Sequence, residues 1–231
     1  MSAHRSLAVI PARGGSKRLP RKNILPFHGK PILIWTLEAA LKSNCFERII
    51  CSTEDEEIAS IVQDYGFEVD KRPDTLATDR ATVNQVTLDL IDRLEQQNES
   101  FDTVAMLYAT APMRNYLDIQ NTMNLLEYDD TYFAMAITNY IHSPYQVLTK
   151  AEDESLNSCF PLICRMKSQD LPSAYAGNGS TYAAKIKNFK ESGFQTAKTR
   201  GYLMPFVRSI DIDTQEDYEL ALYLAEKYLD K

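Results

Sequence analysis

The fold is decided by residues 7–23, which read LAVIPARGGSKRLPRKN. The apolar run Leu7–Ile10 is typical of a buried strand, and the segment after it combines two adjacent glycines with five cations. Adjacent glycines let the backbone approach a ligand and turn successive N–H groups towards an anion. The glycine spacing is neither that of a Walker A loop nor Gly-x-Gly-x-x-Gly. We therefore predict a different kind of phosphate-binding loop at Arg13–Asn23; the alternative is an exposed basic turn or a targeting tag.

Strands and helices alternate along the rest of the chain. Further strands are predicted at Arg48–Ser52, Thr103–Leu107, Tyr132–Ile137, Ser180–Ala184 and Tyr202–Val207. Helices are predicted at Ile32–Leu41, from Thr53 to about Tyr65, from Thr82 to about Leu94, at Leu117–Leu126 after the cap Asn115, and from Thr214 to about Leu229. The alternation predicts one α/β domain, residues 1–231, with a mainly parallel sheet covered on both faces. Ligands of such sheets bind beyond the carboxyl ends of the strands.

The stretch at about 138–173 breaks this alternation. It is irregular and contains three of the ten prolines, Pro144, Pro161 and Pro172. Long segments without helix–strand alternation are usually functional or take part in an interface. We predict a small inserted lobe here, and the alternative is a long surface loop.

The composition limits the partners of the chain. Its 231 residues are 44% hydrophobic and 25% charged, with a formal net charge of −7. An acidic chain is a poor match for nucleic acid, so no nucleic acid partner is expected. No apolar run approaches the roughly 20 residues of a membrane span, and the N-terminus lacks a signal-peptide pattern. We expect a cytoplasmic protein with no membrane association, and we expect its four cysteines, none in a Cys-x-x-Cys pair, to be reduced.

Two carboxylates stand two residues apart in Ile210-Asp211-Ile212-Asp213. At the end of a strand, Asp211 and Asp213 would project to one side while Ile210 and Ile212 enter the core. Carboxylates placed in this way can share Mg²⁺ with phosphate oxygens. The alternative is that Asp213 and Thr214 only cap the last helix.

Several segments in order carry a family resemblance. They are Ile10–Asn23, Phe46–Ala59, Arg72-Pro73 with Leu76–Asp79, Ala111–Arg114 and Ser209–Thr214. Together they resemble the motifs of acylneuraminate cytidylyltransferases, also called CMP-sialic acid synthetases. The resemblance implies a Rossmann-like nucleotidyltransferase fold that forms a homodimer through a protruding lobe. It also implies a reaction in which the anomeric hydroxyl of an acidic sugar attacks the α-phosphate of CTP and pyrophosphate leaves.

The resemblance assigns roles on the nucleotide side. The implied nucleotide-binding residues are Ala12, Arg13, Gly14, Gly15, Ser16, Lys17, Lys22, Asn23, Arg72 and Asp79. Among them, Arg72 would lie near the cytosine and Asn23 near the ribose or base. Arg13, Lys22 and Asp211 are the implied catalytic residues, and the family's metal carboxylates match Asp211 and Asp213. No histidine is predicted as a base; one of the two aspartates or a metal-bound hydroxyl would take the proton.

The sugar side is less uniform. The predicted sugar-binding residues are Tyr108, Arg165, Lys167, Gln169, Asn178 and Tyr182. Tyr108 is similar to the pseudaminic acid branch, whereas Asn178–Tyr182 is closer to the sialic and legionaminic branches. Arg165 and Lys167 would face the sugar carboxylate from the opposite subunit's lobe, or are solvated lobe residues. We expect a nine-carbon acidic sugar; the alternatives are a Kdo cytidylyltransferase, a sugar-phosphate nucleotidyltransferase and a non-catalytic nucleotide-binding module.

Overall fold

A seven-stranded sheet forms the centre of the computed structural model, which describes residues 4–78, 80–140 and 142–229. In chain order the strands are β1 (Ser6–Pro11), β2 (Pro26–Phe27), β3 (Lys30–Pro31), β4 (Arg48–Thr53), β5 (Glu68–Lys71), β6 (Thr103–Leu107), β7 (Phe133–Asn139), β8 (Leu148–Lys150), β9 (Leu156–Ser158), β10 (Tyr175–Lys185) and β11 (Thr199–Leu203). The order across the main sheet is β11-β7-β10-β6-β1-β4-β5. Of the strands described in this sheet, only β10 runs antiparallel to its neighbours. The predicted mainly parallel α/β architecture is confirmed.

The helices of the described chain cover this sheet. They are α1 (Ile32–Ser43), α2 (Glu56–Asp64), α3 (Val83–Gln96), α4 (Tyr116–Asn124), α5 (Ile186–Ser192) and α6 (Gln215–Tyr228). Thr82, Asn115 and Thr214 each form a capping box with the residue three positions later, as predicted for these N-caps. The expected cap Thr53 is wrong: Thr53 ends β4, where it pairs with Lys71, and Asp55 caps α2 instead.

Strand β1 is buried on both faces, as a central parallel strand should be. Ala8 and Ile10 pack into one apolar cluster with side chains of α1, α2 and α4. Leu7 and Val9 point the other way, into a second cluster with side chains of α3 and α5. The two-residue period of the strand therefore places its two sets of side chains in two separate cores.

Three segments differ from their predictions. The last strand is Thr199–Leu203, because Pro205 lacks the N–H that would continue the ladder, and a 3₁₀ turn follows it. Strand β10 begins at Tyr175, before its predicted start at Ser180. A register shift between Gly177 and Tyr182 interrupts the regular strand pattern in its first half. Asp211 and Asp213 lie outside any strand, although Ile210 and Ile212 are buried beneath α6 as the alternation requires.

The segment at about 138–173 holds the two-stranded antiparallel hairpin of β8 and β9, together with short 3₁₀ turns. Large apolar side chains of this segment are exposed, among them Leu156, Phe160, Leu162 and Met166. Leu162 is 85% exposed. Within residues 4–78, 80–140 and 142–229, no helix combines the length and the apolar character of a membrane span.

Candidate active site

Two adjoining clefts open at the carboxyl ends of β1, β5 and β6, and both are lined by Arg13 and Lys22. One cleft, of about 270 Å³, extends past Asn23 to Arg72 and Tyr108. The other, of about 290 Å³, is lined by Arg13, Ser16, Lys17, Arg18, Leu19, Lys22 and Asp213. The location is the one predicted for ligands of a mainly parallel sheet.

Acidic side chains from the segment after β4 hold the loop after β1 in place. The Gly14 N–H donates to Glu54 Oε1 at 2.9 Å, and Arg21 pairs with both Asp55 and Glu57. A Cβ on Gly14 would lie 2.1 Å from Asp55 Oδ2, so this position needs glycine for close approach. These carboxylates follow β4, which is the parallel neighbour of β1. The segments after the two strands therefore lie at the same edge of the sheet and can contact each other.

Several predicted nucleotide contacts lie at the clefts, and Ala12 does not. Ser16 Oγ is buried without a hydrogen-bond partner in the described structure. Asn23 Nδ2 donates to the Arg13 carbonyl at 2.9 Å, which ties the two ends of the loop together. The Ala12 N–H donates to Ser52 and its methyl group packs in the core, so Ala12 offers no N–H to a phosphate. Asp79 lies outside the described residues.

Arg72 forms the far wall of the first cleft. Its Nη2 donates to the Ser52 carbonyl at 2.6 Å, and its Nη1 lies 3.5 Å from Glu54 Oε2. Arg72 Nε and Glu54 Oε2 are both buried without a hydrogen-bond partner. Burial lowers the pKa of Arg72, an effect that the charge of Glu54 opposes. The guanidinium is fixed in place by protein atoms yet retains donor capacity.

The acidic pair sits beside this cationic loop. Asp211 Oδ1 accepts a hydrogen bond of 2.5 Å from Thr110 Oγ1, and Asp213 accepts from Lys22 Nζ at 2.6 Å and Arg18 Nη2 at 2.5 Å. Burial raises the pKa of Asp211, and the charge of Asp213 adds to this. For Asp213, burial acts in the same direction but is outweighed by Lys22 and Arg18, which lower its pKa. The two carboxylates are thus pushed in opposite directions, a pattern that separates acid and base roles.

The donor set suits a hard cation that also binds a phosphate. No group of three or more His, Cys, Asp or Glu side chains forms a metal cage among the described residues. Asp211 and Asp213 offer carboxylate oxygens only, and Mg²⁺ is usually bound by one or two carboxylates together with phosphate oxygens and water. The residues present therefore fit Mg²⁺ bound with a triphosphate. The side chain of Thr214 caps α6, whereas that of Asp213 faces the loop.

The predicted sugar residues divide into two groups. The rings of Tyr108 and Tyr182 are in contact, with centroids 5.3 Å apart and planes tilted by 38°, and burial raises the pKa of Tyr108 to about 12. Asn178 is buried, and its amide bonds within the protein to Ser180 N, Met204 Sδ and Ser209 Oγ. Arg165, Lys167 and Gln169 are exposed on the segment at 138–173 and line neither cleft of the described chain.

The sequence patterns give no individual role to four site residues: Arg18, Glu54, Asp55 and Thr110. They place Arg18 only within the cationic loop, and Glu54 and Asp55 only at the start of a helix. The sequence does carry a signal for Glu54 and Asp55, because both follow a predicted parallel strand at the edge of the sheet where ligands bind. Thr110 carried no signal of its own, since its partner Asp211 is 101 residues away.

Comparison with known proteins places this site in a family. A family model described as Cytidylyltransferase matches residues 7–229. The chain belongs to the cytidylyltransferase family. It is therefore a nucleotidyltransferase enzyme, and the resemblance stated from the sequence motifs is confirmed.

Relatives of this cytidylyltransferase extend over nearly its whole length. It is 33% identical over 222 residues to the pseudaminic acid cytidylyltransferase of Campylobacter jejuni, covering 95% of this chain and 96% of the relative. It is 35% identical over 231 residues to the CMP-N,N'-diacetyllegionaminic acid synthase of Legionella pneumophila, covering 96% and 97%. A CMP:2-keto-3-deoxy-manno-octonic acid synthetase solved with CTP has a TM-score of 0.68 at 17% identity, covering 96% of this chain and 99% of that one. This last similarity supports the fold alone.

Proposed function

We propose that this cytidylyltransferase transfers CMP from CTP to the anomeric hydroxyl of a nine-carbon acidic sugar and releases pyrophosphate. The observation that carries the proposal is the contact between Lys22 and Asp213, which joins the cationic loop to the acidic pair. Phosphate-binding cations and carboxylates that suit a hard cation converge there on one cleft edge. The sugar class follows the names of the two relatives, one for pseudaminic and one for legionaminic acid.

The first role of the chain is to bind and orient the triphosphate. Arg13, Lys17 and Lys22 supply charge to the phosphate oxygens, and the buried Ser16 hydroxyl donates to one of them. Arg72, already held by the Ser52 carbonyl, binds the base in the adjoining cleft. Arg18 and Lys22 neutralise Asp213 when no phosphate is bound, so binding of CTP moves these cations from the carboxylate to the nucleotide.

Asp211 and Asp213 would hold Mg²⁺ in this site. Bound Mg²⁺ would neutralise charge on the triphosphate and help to align the reacting groups. Asp211 is also the candidate proton acceptor for the anomeric hydroxyl, because its carboxylate lies between Thr110 and Gly179 on the acceptor side of the site. Its Oδ2 packs against Gly179, where a Cβ would lie only 2.3 Å away, so this close approach needs glycine.

The acceptor sugar would lie beside Tyr108 and Tyr182, next to Asp211. Its carboxylate requires a cation, and Arg165 and Lys167 on the exposed segment at 138–173 supply two from a second subunit. The exposed side chains of Leu156, Phe160 and Leu162 support a homodimer formed through this segment, because such apolar patches usually mark interfaces. The cytoplasmic location stays a prediction.

Pyrophosphate release from CTP tests the proposal directly. Purified protein with Mg²⁺ would be offered sialic, legionaminic and pseudaminic acids, with Kdo as the eight-carbon control. We expect release that depends on one or more of the nine-carbon acids and is weaker with Kdo. Release with Kdo alone would favour that rival substrate. Absence of release with every sugar would leave only a nucleotide-binding module.

A further inference from the structure

The turn after β6 contains a buried guanidinium that the proposed reaction does not use. Arg114 is only 2% exposed, and none of its hydrogen bonds within the described structure goes to a carboxylate. Its Nε is buried without a partner. Burial lowers the pKa of Arg114 to about 10. A buried cation without a contacting carboxylate is destabilising, so its presence calls for a role that an apolar side chain would not fill.

The hydrogen bonds of Arg114 converge on one node between α1, β6 and β10. Its Nη1 donates to the Ser180 carbonyl at 2.6 Å, and its Nη2 donates to Thr36 Oγ1 at 2.6 Å. Both nitrogens also lie within 3.5 Å of the Tyr108 carbonyl, to which Thr36 donates at 3.2 Å. The Tyr108 N–H closes the node by donating to the Ser180 carbonyl at 3.0 Å. A planar fork with several donors can bind these acceptors together, whereas a lysine ammonium is a single point.

This node fixes the backbone on both sides of the proposed acceptor position. The Tyr108 ring contacts the Tyr182 ring, so fixing the main chain of Tyr108 fixes the position of this aromatic pair. Ser180 lies in the irregular part of β10, next to Gly179, whose Cα packs against Asp211. Thr110, in the same turn as Arg114, bonds to Asp211 through its hydroxyl and to the Ile212 N–H through its carbonyl. The node therefore holds together the residues that face the acceptor and leaves the loop after β1 untouched.

We propose that Arg114 is a positioning residue for the acceptor sugar, an inference that rests on the proposed function of the site. It acts through Tyr108 and through the β10 irregularity at Gly179 and Ser180. It contacts neither substrate. Its loss would displace the acceptor half of the site, including Tyr108 at the end of the first cleft, while the phosphate-binding loop after β1 keeps its geometry.

Arg114→Lys tests this with the charge retained and the fork removed. We expect kcat/KM for the acceptor sugar to fall about 10- to 100-fold, the scale of a small misplacement of reacting groups. The Kd for CTP, measured without sugar, should stay near the wild-type value. Arg48→Lys is the matched control, because Arg48 pairs with Glu68 and Glu99 at the start of β4, the end opposite the clefts. An equal loss of CTP affinity in Arg114→Lys, or an unchanged sugar kcat/KM, would overturn the proposal.

Hydrogen exchange gives a readout independent of turnover. Arg114→Lys should speed exchange of the amides in residues 108–115 and 178–182 and leave residues 12–23 unchanged. Thr36→Val, which removes one acceptor of Arg114, provides a second variant if Arg114→Lys does not fold, and should perturb the same two segments more weakly. Wild-type protein that turns over no sugar would refute the proposed function, and the exchange pattern would then decide the role of Arg114. Uniform exchange changes that include residues 12–23 would contradict that role.

Discussion

The nucleotide half and the acceptor half of the site are built in different ways. The triphosphate-binding part of the nucleotide half is one continuous loop, Arg13–Asn23, whose cations are neighbours in sequence and whose support comes from the residues after β4. The acceptor half is assembled from three distant segments, Tyr108–Arg114, Asn178–Tyr182 and Ser209–Asp213. A local motif can therefore identify the donor of a group transfer, whereas the acceptor site depends on how the whole fold brings its segments together.

The two halves also differ in charge and burial. The loop is cationic and part of it is exposed, while the acceptor half holds a half-buried carboxylate, Asp211, and a buried guanidinium, Arg114. They meet at the ion pair between Lys22 and Asp213. Substitutions in the acceptor half should consequently lower turnover, whereas substitutions in the nucleotide half should weaken nucleotide affinity.

Asp211→Asn should have the largest effect and should act on turnover. Removing a proton acceptor costs about 10²- to 10⁴-fold in rate, and we expect a fall of this size in kcat with Mg²⁺ saturating. The Kd for CTP measured without Mg²⁺ should change much less, because within the described structure Asp211 bonds to Thr110 and makes no hydrogen bond to the loop after β1. Steady-state kinetics and calorimetry measure the two quantities. Asp130→Asn, on an exposed carboxylate paired with Arg200, is the control, and near-wild-type turnover of Asp211→Asn would remove this aspartate from the chemistry.

The same contrast explains which features the sequence predicted. The loop, the mainly parallel sheet and the caps Thr82, Asn115 and Thr214 depend on short-range patterns, and all are present. Asp55 replaced Thr53 as a cap because pairing of Thr53 with Lys71 extends β4 by one residue. The N-cap therefore lies two residues after the predicted one, and a contact with a neighbouring strand determines its position.

The acceptor half could be predicted only as a set of residue types. Spacing along the chain does not reveal that Thr110 bonds to Asp211, or that Gly179 leaves room for the same carboxylate. Asn178 lies where the sequence predicts a sugar contact, and its amide is bonded to Ser209, Met204 and Ser180 within the protein. Long-range packing sets these contacts, and spacing along the chain does not reveal them.

Lys22→Met should have an intermediate effect, on nucleotide affinity. Loss of one charged hydrogen bond to a phosphate corresponds to about 1.5–3 kcal/mol, so the Kd for CTP should rise about 10- to 100-fold. Part of this loss is offset, since the wild-type lysine must leave Asp213 before it binds phosphate. Isothermal titration with CTP provides the measurement, and Lys190→Met, which removes a lysine paired with Asp92 and Glu95, is the control. Unchanged CTP affinity would show that Lys22 serves only the acidic pair.

Asp55→Asn should have the smallest effect and should act on stability. Asparagine is as good an N-cap as aspartate, so the substitution removes the charge facing Arg21 and preserves the cap of α2. Because Arg21 is partly exposed and keeps Glu57 as a partner, we expect a loss of about 0.5–1 kcal/mol at neutral pH.

The pH dependence of this loss identifies its cause. The hydrogen bond from Arg21 lowers the pKa of Asp55, although burial opposes it, so the unfolded chain takes up a proton more readily than the folded one. The stabilisation is therefore fully present above about pH 4, the ordinary range of an aspartate, and is lost as the pH falls through the folded-state value. Urea unfolding of wild type and Asp55→Asn should give a difference that narrows on acidification. A difference that persisted at low pH would mean that the charge of Asp55 is not its cause, because the carboxyl group is then neutral and asparagine has nearly the same shape.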